Sequence, residues 1–201
     1  MNQPNWAGRI MVALDVPDAR SAYNMMDQLQ GIPCWFKVGM ELFYSEGPQL
    51  VRTLKEQGHS VFVDLKLHDI PNTVKRAAAS LTRLGADMFN VHAAGGIWMM
   101  RAALEGAEEA AAGSESGRPL IIGVTQLTST DQTTLNEEIG IPGEIADAVV
   151  RYAELTKRAG LDGVVSSAQE VPLIKQRCGE TFLTVTPGIR PVWSDQGDQA
   201  R

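Results

Sequence analysis

The chain has 201 residues, of which 44% are hydrophobic and 21% charged, with a formal net charge of −6. This composition is ordinary for one globular domain and argues against general nucleic-acid binding, because affinity for a phosphate backbone requires a clustered excess of lysine and arginine. With two cysteines, no Cys-x-x-Cys pair, no N-terminal signal segment and no apolar run of the roughly 18 residues that span a membrane, we predict a cytoplasmic protein without a membrane partner.

Short apolar segments alternate with helical patterns along the whole chain, which predicts a parallel α/β fold. Helical periodicity is clearest at 73–84 and 144–159, and each of these segments is followed by a glycine that can end a helix, Gly85 or Gly160. The seven candidate strands cover 10–14, 34–38, 60–65, 88–91, 120–124, 163–166 and 182–185.

A closed TIM-type (β/α)8 barrel requires one strand more than the seven that can be counted. A barrel without its last strand would leave the edges of the first and seventh strands unpaired. We therefore expect one barrel domain over residues 1–201 that is incomplete at the C-terminus, with a final βα unit of about 30 residues absent from the sequence. An open seven-stranded α/β sheet, complete as written, is the alternative.

The segment 61–73 is unusual because it places charged residues in what otherwise resembles a buried strand leading into a helix. Asp64 and Lys66 are two residues apart, so in an extended strand their side chains project from the same face. Charges in a core-facing strand need partners and commonly serve chemistry. The segment is therefore our first candidate for an active site.

Polar residues also end the other predicted strands, where a βα barrel carries its catalytic groups. Taken singly, each has a simpler interpretation: Asp15 can start a turn, Lys37 can extend to the surface, and His92 is better explained as a core histidine. Because Lys37 lies on the strand next to Asp64 and Lys66, a cluster of charges explains the lysine better. No cysteine or histidine cluster indicates a metal site.

Together these segments resemble orotidine 5′-monophosphate decarboxylases, which are TIM-type barrels. The most specific match is Asp-x-Lys-x-His-Asp-Ile-Pro-Asn-Thr at 64–73, whereas Asp-x-Lys-x-x-Asp alone is shared with related sugar-phosphate barrels. The other matching segments are Leu14-Asp15, Phe36-Lys37-Val38-Gly39, Asn90-Val91-His92-Ala93, Thr128-Ser129, Thr186-Pro187-Gly188-Ile189-Arg190 and Gly197-Asp198-Gln199-Ala200-Arg201.

The resemblance implies a homodimer that decarboxylates orotidine 5′-monophosphate to uridine 5′-monophosphate without a cofactor or metal, the last step of de novo UMP synthesis. It implies that Lys66 protonates C6, within an alternating array of charges in which Asp69 and the region of Thr73 lie near the site of the neighbouring subunit. The implied catalytic residues are Lys66, Asp64, Asp69 and Lys37. The implied substrate-binding residues are Asp15, Lys37, Asp64, Thr73, Thr128, Ser129, Pro187, Arg190 and Gln199, the last three on a loop that closes over the phosphate.

One departure from the family pattern concerns the C-terminus. Family members have a final strand followed by a Gly-Arg pair that binds the phosphate, and the sequence as far as Arg201 does not contain it. Two other functions stay open: a degenerate nucleotide-binding barrel that lacks this phosphate contact, and a related sugar-phosphate decarboxylase or aldolase.

Overall fold

In a computed structural model of the chain, residues 8–114 and 117–189 are described. Within them, seven strands form one parallel sheet in which every strand pairs with its sequence neighbour. The strands are β1 Met11–Ala13, β2 Trp35–Gly39, β3 Ser60–Leu67, β4 Met88–His92, β5 Leu120–Val124, β6 Gly163–Val165 and β7 Leu183–Val185. Every predicted strand is confirmed, and the sequential parallel order with alternating helices is that of a TIM-type barrel.

Helices connect the strands and cover one face of the sheet. They are α1 Ala19–Asp27, α2 Met40–Glu46, α3 Pro48–Glu56, α4 Pro71–Leu84, α5 Gly96–Ala111, α6 Ile145–Ala159 and α7 Val171–Cys178, with short 3-10 turns at Ala93–Gly95 and Ala168–Glu170 and a π-helical turn at Thr134–Glu138. The predicted ends of two helices are confirmed: Gly85 and Gly160 cap α4 and α6 with φ of 91° and 92°. A left-handed φ favours glycine, which has no Cβ to clash there.

The two faces of the sheet have different cores. On the outer face, residues such as Val61, Val63 and Phe89 pack against the helices in a large apolar cluster. On the inner face, Phe62, Met88 and Ile122 form a smaller buried layer. Side chains alternate between the faces along a strand, so the inner-face positions beyond this layer lie toward the carboxyl ends of the strands. The polar residues of the candidate site occupy those positions.

At the opposite end of the sheet, two αβ loops carry the same device. Asp87 donates its backbone N–H to the carbonyl of Val61 (3.0 Å) and accepts the N–H of Val61 on its carboxylate (2.7 Å). Asp162 makes the equivalent pair of bonds with Ile121, at 2.9 and 2.7 Å. A cation pairs with each carboxylate, Lys55 with Asp87 at 2.6 Å and Arg118 with Asp162 at 2.7 Å. We call these two arrangements the loop clamps.

Helices α4 and α5 pack closely because Gly106 has no side chain. A Cβ at this position would overlap the backbone carbonyl oxygen of Lys75 in α4. The ammonium of Lys75 reaches back to α5 and pairs with Glu105 at 2.7 Å and Glu109 at 2.9 Å. The close approach thus depends on one glycine.

Candidate active site

Four charged side chains meet where β1, β2 and β3 end. The carboxylate of Asp64 lies between two ammonium groups, with Lys66 Nζ 2.8 Å from Oδ1 and Lys37 Nζ 3.6 Å from Oδ2. Lys37 also contacts the Asp15 carboxylate at 3.1 Å. The sequence prediction that Lys37 joins Asp64 and Lys66 in one cluster is therefore confirmed geometrically, and Asp15 extends the cluster toward solvent.

Burial increases from the edge of this cluster to its centre. The Asp15 side chain is 66% exposed, those of Lys66 and Lys37 are 25% and 20% exposed, and that of Asp64 is 12% exposed. Burial alone would raise the pKa of Asp64, but the hydrogen bond and charge of Lys66, the hydrogen bond from Asn90 and the charge of Lys37 together lower it. Asp64 is therefore a buried anion held by its partners.

The backbone of β3 is not regular where the lysine lies, and this corrects the reasoning from strand alternation. Lys66 has a φ of 51°, and it is the one non-glycine residue with a positive φ within 8–114 and 117–189. The pairing of β3 with β4 shifts register between Val63 and Leu67. The two side chains do meet, as predicted, but the left-handed backbone at Lys66 means that simple two-residue alternation does not account for their proximity.

Asn90 is part of the site, although the sequence reasoning assigned it no role. Its side chain is buried, with a relative exposure of 1%, and its Nδ2 donates to Asp64 Oδ1 at 2.7 Å. Its Oδ1 accepts the backbone N–H of Lys66 at 2.8 Å. A signal was available in the sequence, since one amide interrupts an otherwise apolar strand and a buried amide needs partners.

Asp69 and Thr73 lie on the loop after β3 and in the first turn of α4, and both are exposed. The Asp69 carboxylate accepts the backbone N–H of Ile70 at 2.6 Å. Among the described residues, Asp69 has no recorded bond to Lys66 or Lys37. The structure of the single chain thus leaves these two residues outside the cluster.

The remaining predicted residues belong to loops at the same end of the sheet. Thr128 and Ser129 lie in a turn beyond β5, half-buried and exposed respectively, and Pro187 lies in an exposed turn beyond β7. Arg190 and Gln199 fall outside the described residues.

His92 borders the cluster more closely than its interpretation as a core histidine suggests. It ends β4 with intermediate exposure, and its ring centroid lies 5.5 Å from that of His68. Burial, followed by the charges of His68 and Lys66, lowers the pKa of His92, against a smaller opposing effect of Asp64. The imidazole of His92 is therefore neutral at neutral pH, within the electrostatic influence of Lys66.

The described ranges hold neither a cluster suited to a metal ion nor a helix suited to crossing a membrane. Residues 8–114 and 117–189 contain no group of three or more histidine, cysteine, aspartate or glutamate side chains arranged to hold a metal ion. None of the helices in these ranges combines the length and apolar character needed to cross a membrane.

Chemically, the cluster presents ammonium groups on both sides of a fixed carboxylate at the open end of the strands. Such an arrangement can bind an anionic or polyhydroxylated small molecule, stabilise developing negative charge and deliver a proton. Lys66 is suited to the last role because its Nζ is held by Asp64 while the side chain remains partly exposed.

Comparison with known proteins gives consistent matches along the chain. A sequence profile described as "Orotidine 5'-phosphate decarboxylase / HUMPS family" matches residues 8–201. A relative named orotidine 5'-phosphate decarboxylase from Halalkalibacterium halodurans is 56% identical over 194 residues, covering 96% of this chain and 81% of the relative. A relative of the same name from Bacillus cytotoxicus is 54% identical over 194 residues, covering 96% and 80%.

Two solved structures share the fold. The crystal structure of an uncharacterized conserved protein from Geobacillus kaustophilus has a TM-score of 0.84 and 54% identity, covering 89% of this chain and 82% of the other. That of orotidine 5'-phosphate decarboxylase from Lactobacillus acidophilus has a TM-score of 0.85 and 38% identity, covering 90% and 81%.

Proposed function

The chain belongs to the orotidine 5′-phosphate decarboxylase / HUMPS family, and from this premise we propose that it is a carboxy-lyase that converts orotidine 5′-monophosphate to uridine 5′-monophosphate. The reaction is the last step of de novo UMP synthesis, and the protein performs it without a cofactor. The observation that carries the proposal is the Lys66 ammonium, hydrogen-bonded to the buried Asp64 carboxylate at 2.8 Å beside a second lysine.

The chemistry requires such a group. When the bond between C6 and the carboxylate breaks, CO2 leaves and the electron pair stays on C6, which has no adjacent imine or enamine to accept it. Lys66 stabilises this charge and transfers a proton from Nζ to C6, and water then restores the ammonium. Only interactions that strengthen as the charge develops accelerate the step, and an ammonium facing C6 satisfies that condition.

Asp64 has two possible roles in this scheme. In one account its carboxylate repels the carboxylate of the substrate, but repulsion in the ground state accelerates the reaction only if it is relieved at the transition state. The contacts favour the other role: Asp64 holds the ammonium of Lys66 in place, while Lys37 and Asn90 hold Asp64.

We assign the substrate contacts by the position of each residue. Lys37 and Asp15, which already contact each other, bind the ribose hydroxyls, with Thr73 assisting. Thr128 and Ser129 contact the pyrimidine from the loop beyond β5. For the phosphate, the assignment rests on sequence resemblance and comprises Pro187, Arg190 and Gln199.

We further propose that the protein is a homodimer in which Asp69 completes the site of the neighbouring subunit. The Asp69 side chain is exposed, its carboxylate accepts the Ile70 N–H, and among the described residues it has no recorded bond to Lys66 or Lys37. Ile70 is itself largely exposed, as are Tyr44 on α2 and Trp98 on α5. Because these apolar side chains follow β2, β3 and β4, they border the same end of the sheet, and a second subunit that covered them would stabilise the pair.

The decarboxylase proposal is tested by replacing Lys66 with alanine and following the loss of the orotidine chromophore by absorbance, with the terminus of the protein verified by mass. We expect the parent to be active and the variant to have no detectable turnover while it remains folded. Lys75→Ala is the control, since it removes a lysine that pairs with Glu105 and Glu109 between α4 and α5. Near-normal activity of Lys66→Ala would exclude the mechanism.

Two further outcomes separate the alternatives. Binding of a uridine monophosphate analogue by the parent without CO2 release from the substrate would favour a nucleotide-binding barrel. Loss of activity on exhaustive chelation would favour a metal-dependent sugar-phosphate enzyme, whereas retained activity supports the proposal.

The shared site is tested by mixing two inactive variants, Lys66→Ala and Asp69→Ala, under conditions that exchange subunits. Each mixed dimer contains one site with both residues intact, so random exchange should restore about a quarter of the parent activity. If Asp69 serves its own subunit, mixing restores nothing.

A further inference from the structure

The buried side-chain amide of Asn90 bonds to both central residues of the charged cluster, Asp64 and Lys66. Asn90 lies on β4 directly opposite the irregular part of β3, and both ends of its side chain are used: Nδ2 donates to Asp64 Oδ1 at 2.7 Å, and Oδ1 accepts the Lys66 N–H at 2.8 Å. The residue is 1% exposed, so water does not compete for these two hydrogen bonds.

The strand pairing explains why Lys66 needs this partner. Val63 pairs with Phe89 and Leu67 with Val91, so residues 64–66 of β3 face the single residue Asn90 of β4. The extra residues on β3 lose regular partners on the neighbouring backbone. The side chain of Asn90 replaces that missing acceptor at Lys66.

The backbone conformation at Lys66 is costly. A non-glycine residue in the left-handed region is strained and persists only where its surroundings enforce that conformation. Lys66 has a φ of 51°, and the hydrogen bond from its backbone N–H to Asn90 Oδ1 holds it in this conformation. Without the bond, β3 can relax toward an extended conformation, which would redirect the Lys66 side chain.

The same amide also fixes the partner of the ammonium. Asp64 Oδ1 accepts from Lys66 Nζ at 2.8 Å and from Asn90 Nδ2 at 2.7 Å. The orientation of the carboxylate is thus set from two directions, and the position of Nζ follows from it. Asparagine suits this position because its uncharged amide offers a donor group at one end and an acceptor at the other.

We propose that Asn90 is a positioning residue for Lys66, which holds its left-handed backbone and orients the Asp64 carboxylate that aims its ammonium. This inference rests on the proposed function, in which Lys66 donates the proton. It predicts that loss of the Asn90 amide impairs the chemical step more than substrate binding.

The first experiment compares Asn90→Ala with the parent in steady-state decarboxylation. We expect kcat to fall about 100-fold, as for a misplacement of about 1 Å, while KM changes far less. Thr156→Val is the matched control, because it removes a buried hydroxyl that bonds to the Tyr152 carbonyl at 2.7 Å on α6, away from the cluster. The control should be less stable but keep the parent kcat. A folded Asn90→Ala variant with the parent kcat overturns the inference.

A second variant, Asn90→Asp, gives a signature that a structural role would not produce. The introduced carboxyl keeps an acceptor for the Lys66 N–H, but when ionised it repels Asp64. When protonated it can donate to Asp64 as the amide does. The other titratable groups of this region are Lys66 on β3 and Lys37 on β2, which both contact Asp64, and His92 on β4. We expect kcat of this variant, relative to the parent at each pH, to rise as the pH falls; a ratio independent of pH counts against the inference.

A third measurement does not depend on activity. Hydrogen exchange at the Lys66 amide should be faster in Asn90→Ala than in the parent, while amides of β5 keep their protection. If the parent does not decarboxylate the substrate, the proposed function fails, and this exchange measurement still decides whether Asn90 holds Lys66. Unchanged protection at Lys66 in the folded variant overturns the positioning role.

Discussion

Replacing Asp64 with asparagine should destabilise the folded protein strongly, because it leaves two ammonium groups in a half-buried site without their common counterion. Asp64 Oδ1 is 2.8 Å from Lys66 Nζ, and Oδ2 is 3.6 Å from Lys37 Nζ. With an effective dielectric constant of about 20, Coulomb's law gives gross attractions of about 6 and about 5 kcal/mol for these distances. Desolvation of the three groups offsets much of this sum.

The net loss in the free energy of unfolding follows from what is known of buried ion pairs. Removing one partner of a buried ion pair costs about 3–5 kcal/mol, because the other charge stays buried and unpaired. Both lysine side chains keep 20–25% exposure and can turn partly toward water. We therefore expect the lower end, a loss of about 3 kcal/mol in the free energy of unfolding.

A second ion pair with the same N–O distance lies in a more exposed environment and provides a control. Arg177 Nε lies 2.8 Å from Glu154 Oε1, the same separation as in the Lys66–Asp64 pair, but the two side chains are 59% and 39% exposed. Glu154→Gln should cost less than about 1 kcal/mol, since water screens the pair. Urea unfolding at one fixed protein concentration measures both variants.

Two results test the reasoning further. Lys66→Met combined with Asp64→Asn should cost less than the sum of the single changes, because each single change deprives the other charge of its nearest partner. The pKa of Asp64 is lowered from its ordinary value of 3.8, so its contribution is present above that value and is lost as the pH falls through the folded-state pKa. The difference between parent and Asp64→Asn should therefore be constant near neutrality and shrink in acid. If Asp64→Asn is as mild as Glu154→Gln, burial does not strengthen the central pair and the reasoning fails.

Three other predictions concern parts of the fold around the site. Gly106→Ala should lower the free energy of unfolding by about 1–3 kcal/mol, because the new Cβ overlaps the carbonyl of Lys75; a rise in stability would mean that helix propensity outweighs the overlap. His92→Gln should weaken the loss of stability on acidification through pH 6.5, since the unfolded chain protonates His92 before the folded one does; equal urea midpoint shifts in parent and variant contradict this. Asp162→Asn should lower the urea midpoint but leave kcat unchanged, because it breaks a loop clamp at the opposite end of the sheet; a lower kcat in the folded variant contradicts this.

The strands and the centre of the site could be predicted because their signals are local. Apolar segments of strand length, followed by polar residues, are enough to locate β1 to β7, and parallel strands bring their carboxyl ends together. From that alone, Lys37 and Asp64 are expected on adjacent strands. The alternation of side chains holds only for a regular strand, so the sequence could not reveal the left-handed backbone at Lys66.

The role of Asn90 was missed for a related reason. Its two partners lie 24 and 26 residues earlier in the chain. Both bonds depend on a register shift between β3 and β4 that no pattern in β4 indicates. The positions of Thr128 and Pro187 relative to the cluster likewise depend on loops, whose conformation is set by tertiary contacts rather than by periodicity.

One of the loop clamps, at Asp87, fixes the alignment of β3, the strand whose pairing is irregular. A strand that slips by one residue reverses the faces of all its side chains, and β3, whose ladder is interrupted at Lys66, would be open to such an error. Asp87 ties the first residues of β3 to the start of β4 by paired bonds to Val61, so the alignment is established before the chain reaches the interruption. The start of β3 is thus held in register with β4. The end of the strand can therefore leave regular sheet pairing and carry Lys66 in its strained backbone conformation.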